Sequence, residues 1–331
     1  MRHCRAVLLF CAGVMPLAAA AAGVPPTSTT GLPSDAAPAA DQRLTLSQLR
    51  ARYGDRAGRI ADIDGVEVYY KDEGSGPAIL LVHGSASTLT TYDDVSPILR
   101  KRYRVIRYDV PGQGLSGTVS DAVATLDPAD IAAGLLERLK VSKVTAVGVS
   151  SGGTLCIYLA AKYPELVERL VLANTPADPV DTSRMHQPQD FLDVQREARQ
   201  THFQSQRFWD LFLDFFSGEP ARMTPRIRRE FYDFNRRTPD PNELALVAKV
   251  SDHARAAEAM SRVRAPTLLV WGARDALLTP PSADVLAGYL TETSVSKLIL
   301  PDVGHFPPLE VPARFATIVA SYIEAVTPEA P

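Results

Sequence analysis

The feature that most constrains this chain is a regular alternation of strand-length apolar runs with segments of helical periodicity. Ala78–Val82, Arg104–Tyr108, Lys143–Val149, Arg169–Ala173, Thr267–Trp271 and Lys297–Leu300 read as strands. Tyr92–Lys101, Pro128–Lys140, Thr154–Tyr163, Ser282–Leu290 and Pro312–Val326 read as the helices between them. A run such as Ala78–Val82, with no polar residue on either face, suits a strand buried on both sides. Strands that recur between helices form a parallel sheet covered on both faces. Asp127 before Pro128 marks a helix start, because its side chain caps amides that the first turn leaves open. Ile60–Ile63 and Val66–Tyr70 flank Asp64-Gly65, a tight-turn dipeptide, and read as a hairpin. The expected fold is therefore α/β, a mostly parallel, doubly wound sheet of about eight strands.

The interval 176–262 breaks this rhythm. It carries no strand signal but many aromatics, including Phe208, Trp209, Phe212, Phe215, Phe216, Phe231 and Phe234. The spacing of Phe208, Phe212 and Phe215 aligns one helical face. It is expected to be a helical cap inserted between two parts of the core, residues 59–175 and 263–331. Its rings can build a small core of their own or close an apolar pocket, and Trp209 and Phe212 are candidates for the second role.

Residues 1–22 read as a secretory signal peptide. Arg2, His3 and Arg5 precede an apolar run, and Ala20 and Ala22 supply the small residues of a cleavage site. The run is short and alanine-rich for a membrane span, so no stable membrane insertion is expected after cleavage. A periplasmic or secreted location follows. Cleavage near Ala22 removes Arg2 and Arg5, taking the net charge from −3 to −5, and removes Cys4 and Cys11. Cys156 is then left alone, which excludes an internal disulfide. Residues 23–58 begin as a Pro/Ala-rich tether and continue as an N-terminal arm, where Leu44, Leu46 and Leu49 hint at a short helix. A composition with 46% hydrophobic and 22% charged residues is ordinary for a globular protein. The slight acidic excess argues against a nucleic-acid partner, since no basic excess is available to neutralise phosphates. No metal-binding spacing is present, and Gly74-Ser75-Gly76 leads into no helix, so no cofactor is expected.

The chemistry concentrates in Gly148-Val149-Ser150-Ser151-Gly152-Gly153, which follows a strand and opens a helix. A serine there sits on a turn sharp enough to demand glycine on either side, and its hydroxyl stands above the sheet. Serine needs a base and an acid to become a nucleophile. Asp275 closes Trp271-Gly272-Ala273-Arg274-Asp275 after one strand, and His305 follows the last strand in Gly304-His305-Phe306. Both therefore lie at the strand ends where open α/β sheets bind ligands. The other histidines fall in the leader, in an earlier loop (His83) or in the inserted interval. Asp178 competes less well for the acid. The amide of Ser151 and that of Ser85, in His83-Gly84-Ser85-Ala86, are expected to hold an oxyanion. His83 reads as a buried hydrogen-bonding residue, Asp109 as a loop cap and Cys156 as a buried thiol. Phe306, beside His305, joins Trp209 and Phe212 as a candidate substrate contact.

With their order and spacing, His83-Gly84, Asp109-x-Pro-Gly-x-Gly-x-Ser116, Gly148-x-Ser150-x-Gly152, Trp271-Gly-x-x-Asp275 and Gly304-His305 resemble the lid-bearing branch of the α/β-hydrolase superfamily. The resemblance spans about Ile60 to Val326. It implies Ser150 as nucleophile, His305 as base and Asp275 as acid, with the Ser85 and Ser151 amides as the oxyanion hole. Serine stands where dehalogenases and epoxide hydrolases carry aspartate. Ser151 stands where carbon–carbon hydrolases often carry methionine, and Ser85-Ala86 lacks the aromatic and proline of perhydrolases. The expected substrate is a small to medium, largely apolar ester or lactone. Carbon–carbon hydrolysis, perhydrolase-like chemistry, acyl transfer and ligand binding by a hydrolase fold are the alternatives.

Overall fold

The computed structural model describes residues 43–117, 126–180, 182, 185–239 and 248–326. The segments expected to form a signal peptide, its cleavage site and most of the tether lie outside the described residues. In chain order the helices are α1 (Leu46–Tyr53), α2 (Ser96–Leu99), α3 (Pro128–Arg138), α4 (Ser151–Lys162), α5 (Gln189–Thr201), α6 (Gln206–Phe216), α7 (Pro225–Asn235), α8 (His253–Met260), α9 (Pro281–Tyr289), α10 (Pro307–Glu310) and α11 (Pro312–Ala325). The strands are β1 (Gly58–Ile63), β2 (Val66–Gly74), β3 (Ala78–Val82), β4 (Arg104–Tyr108), β5 (Val144–Val149), β6 (Val167–Ala173), β7 (Thr267–Gly272) and β8 (Val295–Leu300).

The eight strands form one sheet in the order β1-β2-β4-β3-β5-β6-β7-β8. β1 and β2 form the antiparallel hairpin, with Asp64 and Gly65 both at positive φ, and β2 also runs antiparallel to β4. The remaining pairings are parallel. Successive side chains of the central strands feed opposite faces. Leu80 and Ala146 join one apolar cluster with α3, α4, α8 and α9, while Ile79, Leu81 and Val147 join a second with α11. Asp127 caps α3 as expected, its carboxylate accepting the Ala129 N–H at 2.9 Å. The mutually parallel strands β3 to β8 end along one edge, and the loops leaving that edge carry Gly84, Ser150, Asn174, Asp275 and His305.

Three local differences from the sequence reading have physical causes. The helix expected over Tyr92–Lys101 is split into a 3-10 turn, Leu89–Tyr92, and the four-residue α2. Pro97 lacks the N–H that a continuous helix needs and its ring crowds the preceding turn. Helix α8 falls inside the interval expected to form the cap, yet it packs on α4, and its Ala256, Ala259 and Met260 belong to the core cluster. Helix α1 is docked. Leu49 is fully buried with Tyr69, Leu89, Leu115 and Phe234, and Tyr53 Oη donates to Asp233 Oδ2 at 2.5 Å. Phe234 and Asp233 come from α7, so the arm touches both core and cap.

Two variants or probes test this packing. Leu49→Ala removes a fully enclosed side chain and should cost about 2–4 kcal/mol in urea unfolding, whereas a loose tether would register under ~0.5 kcal/mol. The Cys156 thiol is enclosed by α4 and the sheet, and burial pushes its pKa up. It should resist a thiol reagent at pH 8 in the native protein and react at once in urea.

Candidate active site

Ser150 begins the site because its backbone is forced. It has φ 54° and ψ −130°, a conformation that costs a non-glycine residue on the order of 1–3 kcal/mol. Close packing holds it there. A Cβ on Gly148 would stand 2.4 Å from the Gly152 carbonyl oxygen, and one on Gly152 would stand 2.3 Å from the Val82 oxygen. The β5 exit, the α4 entry and the β3 exit therefore touch backbone to backbone. On the other side, a Cβ on Gly84 would lie 3.0 Å from the Ser150 Cβ, so a side chain there would press on the serine.

Asp275 is buried and every one of its acceptor positions is engaged. Oδ1 accepts the N–H groups of Leu277 at 2.8 Å and Leu278 at 3.0 Å. Oδ2 accepts from Asn174 Nδ2 at 2.5 Å and from His305 Nδ1 at 2.8 Å. A carboxylate partner at Nδ1 makes that nitrogen the donor and leaves Nε2 as an acceptor. His305 lines the same cavity as Ser150. The three residues expected as a triad thus meet at one place. Asp178 lies elsewhere, accepting from Tyr289 Oη at 2.8 Å.

The two residues expected to supply the oxyanion donors are neighbours in space. Ser151 opens α4, where the first amides of a helix have no intrahelical partner. Ser85 follows Gly84, and its hydroxyl lies 2.8 Å from that of Ser151. The loop carrying Ser85 is tied down from three sides. His83 Nε2 accepts the Val110 N–H at 2.9 Å, so Nδ1 carries the proton and donates to the Gly84 carbonyl at 2.8 Å. Asp109 accepts from Leu89 N–H and Leu115 N–H, both at 2.7 Å. Asn235 of α7 donates to the Ala86 carbonyl at 2.8 Å, and Ala86 itself has φ 57°. Burial pushes the His83 pKa down to about 4. It pushes that of Asp109 up to about 6, against the two amides it accepts and the nearby Arg237 and Arg107.

The cavity has two unlike walls. Ser85, Ser87 and Thr91 line it from the core, the hydroxyls of Ser87 and Thr91 hydrogen-bonded to each other. Phe212 and Phe216 of α6, with Phe306, line it from the cap side. Its volume is about 20 Å³, room for roughly one water molecule. Of the rings singled out in the sequence, Phe212 and Phe306 reach the cavity. Trp209 stands one layer behind, its centroid 5.2 Å from Phe212 and 6.3 Å from Phe231. Its indole Nε1 is buried and has no hydrogen-bond partner. Asn174, Ser87 and Thr91 were not singled out as site residues. The signal for Asn174 was an amide at the end of β6, where an acid would also have been plausible. The Ser87–Thr91 pair had none.

Residues 77–312 match the family model described as the alpha/beta hydrolase fold. The chain belongs to that family. This α/β hydrolase is 27% identical over 276 residues to 2-hydroxymuconate semialdehyde hydrolase of Pseudomonas sp. (strain CF600), covering 80% of this chain and 93% of that protein. It is 26% identical over 257 residues to pimeloyl-[acyl-carrier protein] methyl ester esterase of Nitrosomonas europaea, covering 76% and 97%. Among solved structures, the enol-lactonase of Burkholderia xenovorans LB400 superposes with a TM-score of 0.62 at 23% identity, over 80% of this chain and all of that one. At that identity the likeness is one of fold.

The buried His83 gives the site a checkable pH signature. In the unfolded chain it takes a proton near pH 6.5, and in the fold it holds out to about pH 4. Its contribution to stability is complete above pH 6.5 and is lost as the pH falls through that window. Its ring proton NMR signals should not titrate between pH 8 and 5; a midpoint near 6.5 would mean the ring is solvated.

Proposed function

We propose that this α/β hydrolase is a serine hydrolase that cleaves a carboxylic ester or lactone of a small to medium, largely apolar substrate through an acyl-enzyme. One observation carries the reading. Ser150, held in its positive-φ turn, and His305, oriented through Nδ1 by Asp275, line one small cavity. In this mechanism His305 Nε2 takes the Ser150 proton as Oγ attacks the acyl carbon. The Ser85 and Ser151 amides receive the charge that develops on the carbonyl oxygen, each donor worth about 3 kcal/mol in such sites. His305 then protonates the departing alkoxide, and water activated by the same nitrogen releases the acid. Asp275 stays ionised throughout and stabilises the imidazolium.

The cavity walls support the substrate class. The aromatic side suits an apolar acyl group, and a volume near 20 Å³ means that even a short one enters only as α6 moves outward. The 2-hydroxymuconate semialdehyde hydrolase supports carbon–carbon cleavage as a second reading. A muconate is an acid, however, and the described residues lining this cavity include no lysine or arginine, which favours a neutral ester. We also propose, from residues 1–22, that the protein is exported to the periplasm or beyond.

The test is hydrolysis of p-nitrophenyl esters from acetate to decanoate. Activity should peak at short chains, and Ser150→Ala should lower kcat on the order of 10⁴-fold or more. Equal rates for wild type and Ser150→Ala would remove the acyl-enzyme. An inert wild type would move carbon–carbon cleavage ahead. Added alcohol that captures the acyl group faster than water would mark a transferase.

A further inference from the structure

Where the chain leaves the cap helix α6, three glycines meet with no room for a side chain. A Cβ on Gly304 would stand 2.4 Å from both Gly218 N and the Phe216 carbonyl oxygen. One on Gly218 would stand 2.6 Å from Gly304 N, and one on Gly272 would stand 2.0 Å from the Gly304 oxygen. Gly272 ends β7, just ahead of Asp275. Gly304 precedes His305. Gly218 is the second residue beyond α6. The acid loop, the base loop and the cap exit are thus in direct backbone contact.

The carboxylate of Glu310 closes this junction. Oε1 accepts the Gly304 N–H at 2.9 Å and the Phe306 N–H at 3.2 Å. Oε2 accepts the Gly218 N–H at 2.8 Å and lies 3.1 Å from Gly304 N. The amide between those of Gly304 and Phe306, that of His305, donates to the Phe216 carbonyl at 2.7 Å. The short α10 carries Glu310 back over the peptides just before it. Neighbouring charges complete the seam. Arg222 pairs with Asp302 at 2.6 Å, and Arg274 Nη1 donates to the Gly218 carbonyl at 3.0 Å. Glu310 is buried, and burial pushes its carboxyl above the usual range, against the three amides and Arg222. A buried carboxylate is a costly way to fill space. What it supplies that an apolar side chain does not is acceptor capacity for three peptides from two segments.

We infer that Glu310 is a positioning residue for His305 and that it makes the placement of the base depend on the docked cap. One side chain holds both peptide flanks of the base and the first free peptide after α6. A displacement of α6, which carries Phe212 and Phe216 of the cavity wall, therefore reaches His305 through the Phe216 carbonyl and through Glu310. Cap closure and base alignment become one event. The inference rests on the proposed role of His305 as base.

Glu310→Gln tests it, because the side chain keeps its volume while one acceptor oxygen becomes an NH₂ aimed at a peptide N–H. Ser150→Ala and His305→Ala are measured alongside on p-nitrophenyl butyrate. We expect Glu310→Gln to fold with a little-changed melting curve, to lose roughly tenfold to 10²-fold in kcat and to change KM by less than about threefold. The downfield proton resonance of His305 Nδ1 in its bond to Asp275 should broaden or vanish, a readout that packing alone would not move. If both triad variants are inert while Glu310→Gln keeps the wild-type kcat and that resonance, the positioning role is overturned and the serine mechanism stands. If Ser150→Ala or His305→Ala retains full activity, the serine reading fails and the role falls with it. The resonance is read without substrate, so it decides even where the ester is a poor one. Should Glu310→Gln not fold, hydrogen exchange in the wild type decides. The amides of Gly218, Gly304 and Phe306 should be strongly protected, and fast exchange at all three would overturn the inference.

Discussion

Backbone crowding around Ser150 is the constraint on which the rest of the structure depends. The residue is held at φ 54° because the ends of β3 and β5, the start of α4 and the Gly84 loop all approach within contact distance. Such an approach is possible only where strands run parallel and end together, since their connections then gather on one edge. The two apolar clusters that clamp the sheet supply the stiffness to retain a conformation that costs on the order of 1–3 kcal/mol. The strain is a by-product of placing one hydroxyl above the sheet, and the whole central sheet bears it.

Around that point, three buried carboxylates divide the work of holding loops. Asp109 fixes the loop bearing Ser85 through Leu89 and Leu115, Asp275 fixes the imidazole, and Glu310 fixes the peptides beside it. Each faces two or more N–H donors, which is what makes an acid tolerable away from water. Asp109 and Glu310 sit at raised pKa, so their burial still costs something. The fold accepts this cost where loops have no ladder of their own to satisfy their peptides. His83 serves the same end from the neutral side, locked in one tautomer between Val110 and Gly84.

The sheet, the strand-to-helix turn and the meeting of Ser150, Asp275 and His305 were legible because each rests on local pattern. Apolar runs announce buried strands, and glycines announce tight turns. What the pattern did not reveal depends on contacts between distant residues. Asn174 reaches Asp275 across 101 residues of chain, and Tyr53 reaches Asp233 across 180. Helix α8 looks like a continuation of the aromatic interval until its alanines are seen against α4. Trp209 and Phe212 share one helix and similar character, yet three positions of rotation put Phe212 at the cavity and Trp209 behind it. Glu310 sits in a run of prolines and leucine just ahead of the helix expected over Pro312–Val326, and nothing in that run points to the site. Its role emerges once Gly218 is known to lie beside Gly304.

The docked arm has a practical consequence for anyone handling this protein. Arg43 donates to the His202 carbonyl, Leu44 bridges to Arg237, and Tyr53 reaches α7, so the first described residues grip the cap as well as the core. The last described helix, by contrast, lies on the far cluster, with Glu324 paired to Arg102. A fluorophore, surface tether or fusion partner joined ahead of residue 43 would load the arm that bridges core and cap. The same attachment placed after α11 would load only the rigid scaffold. The two ends of the described residues are therefore unequal handles, and immobilisation through the last helix leaves the contacts between arm and cap untouched.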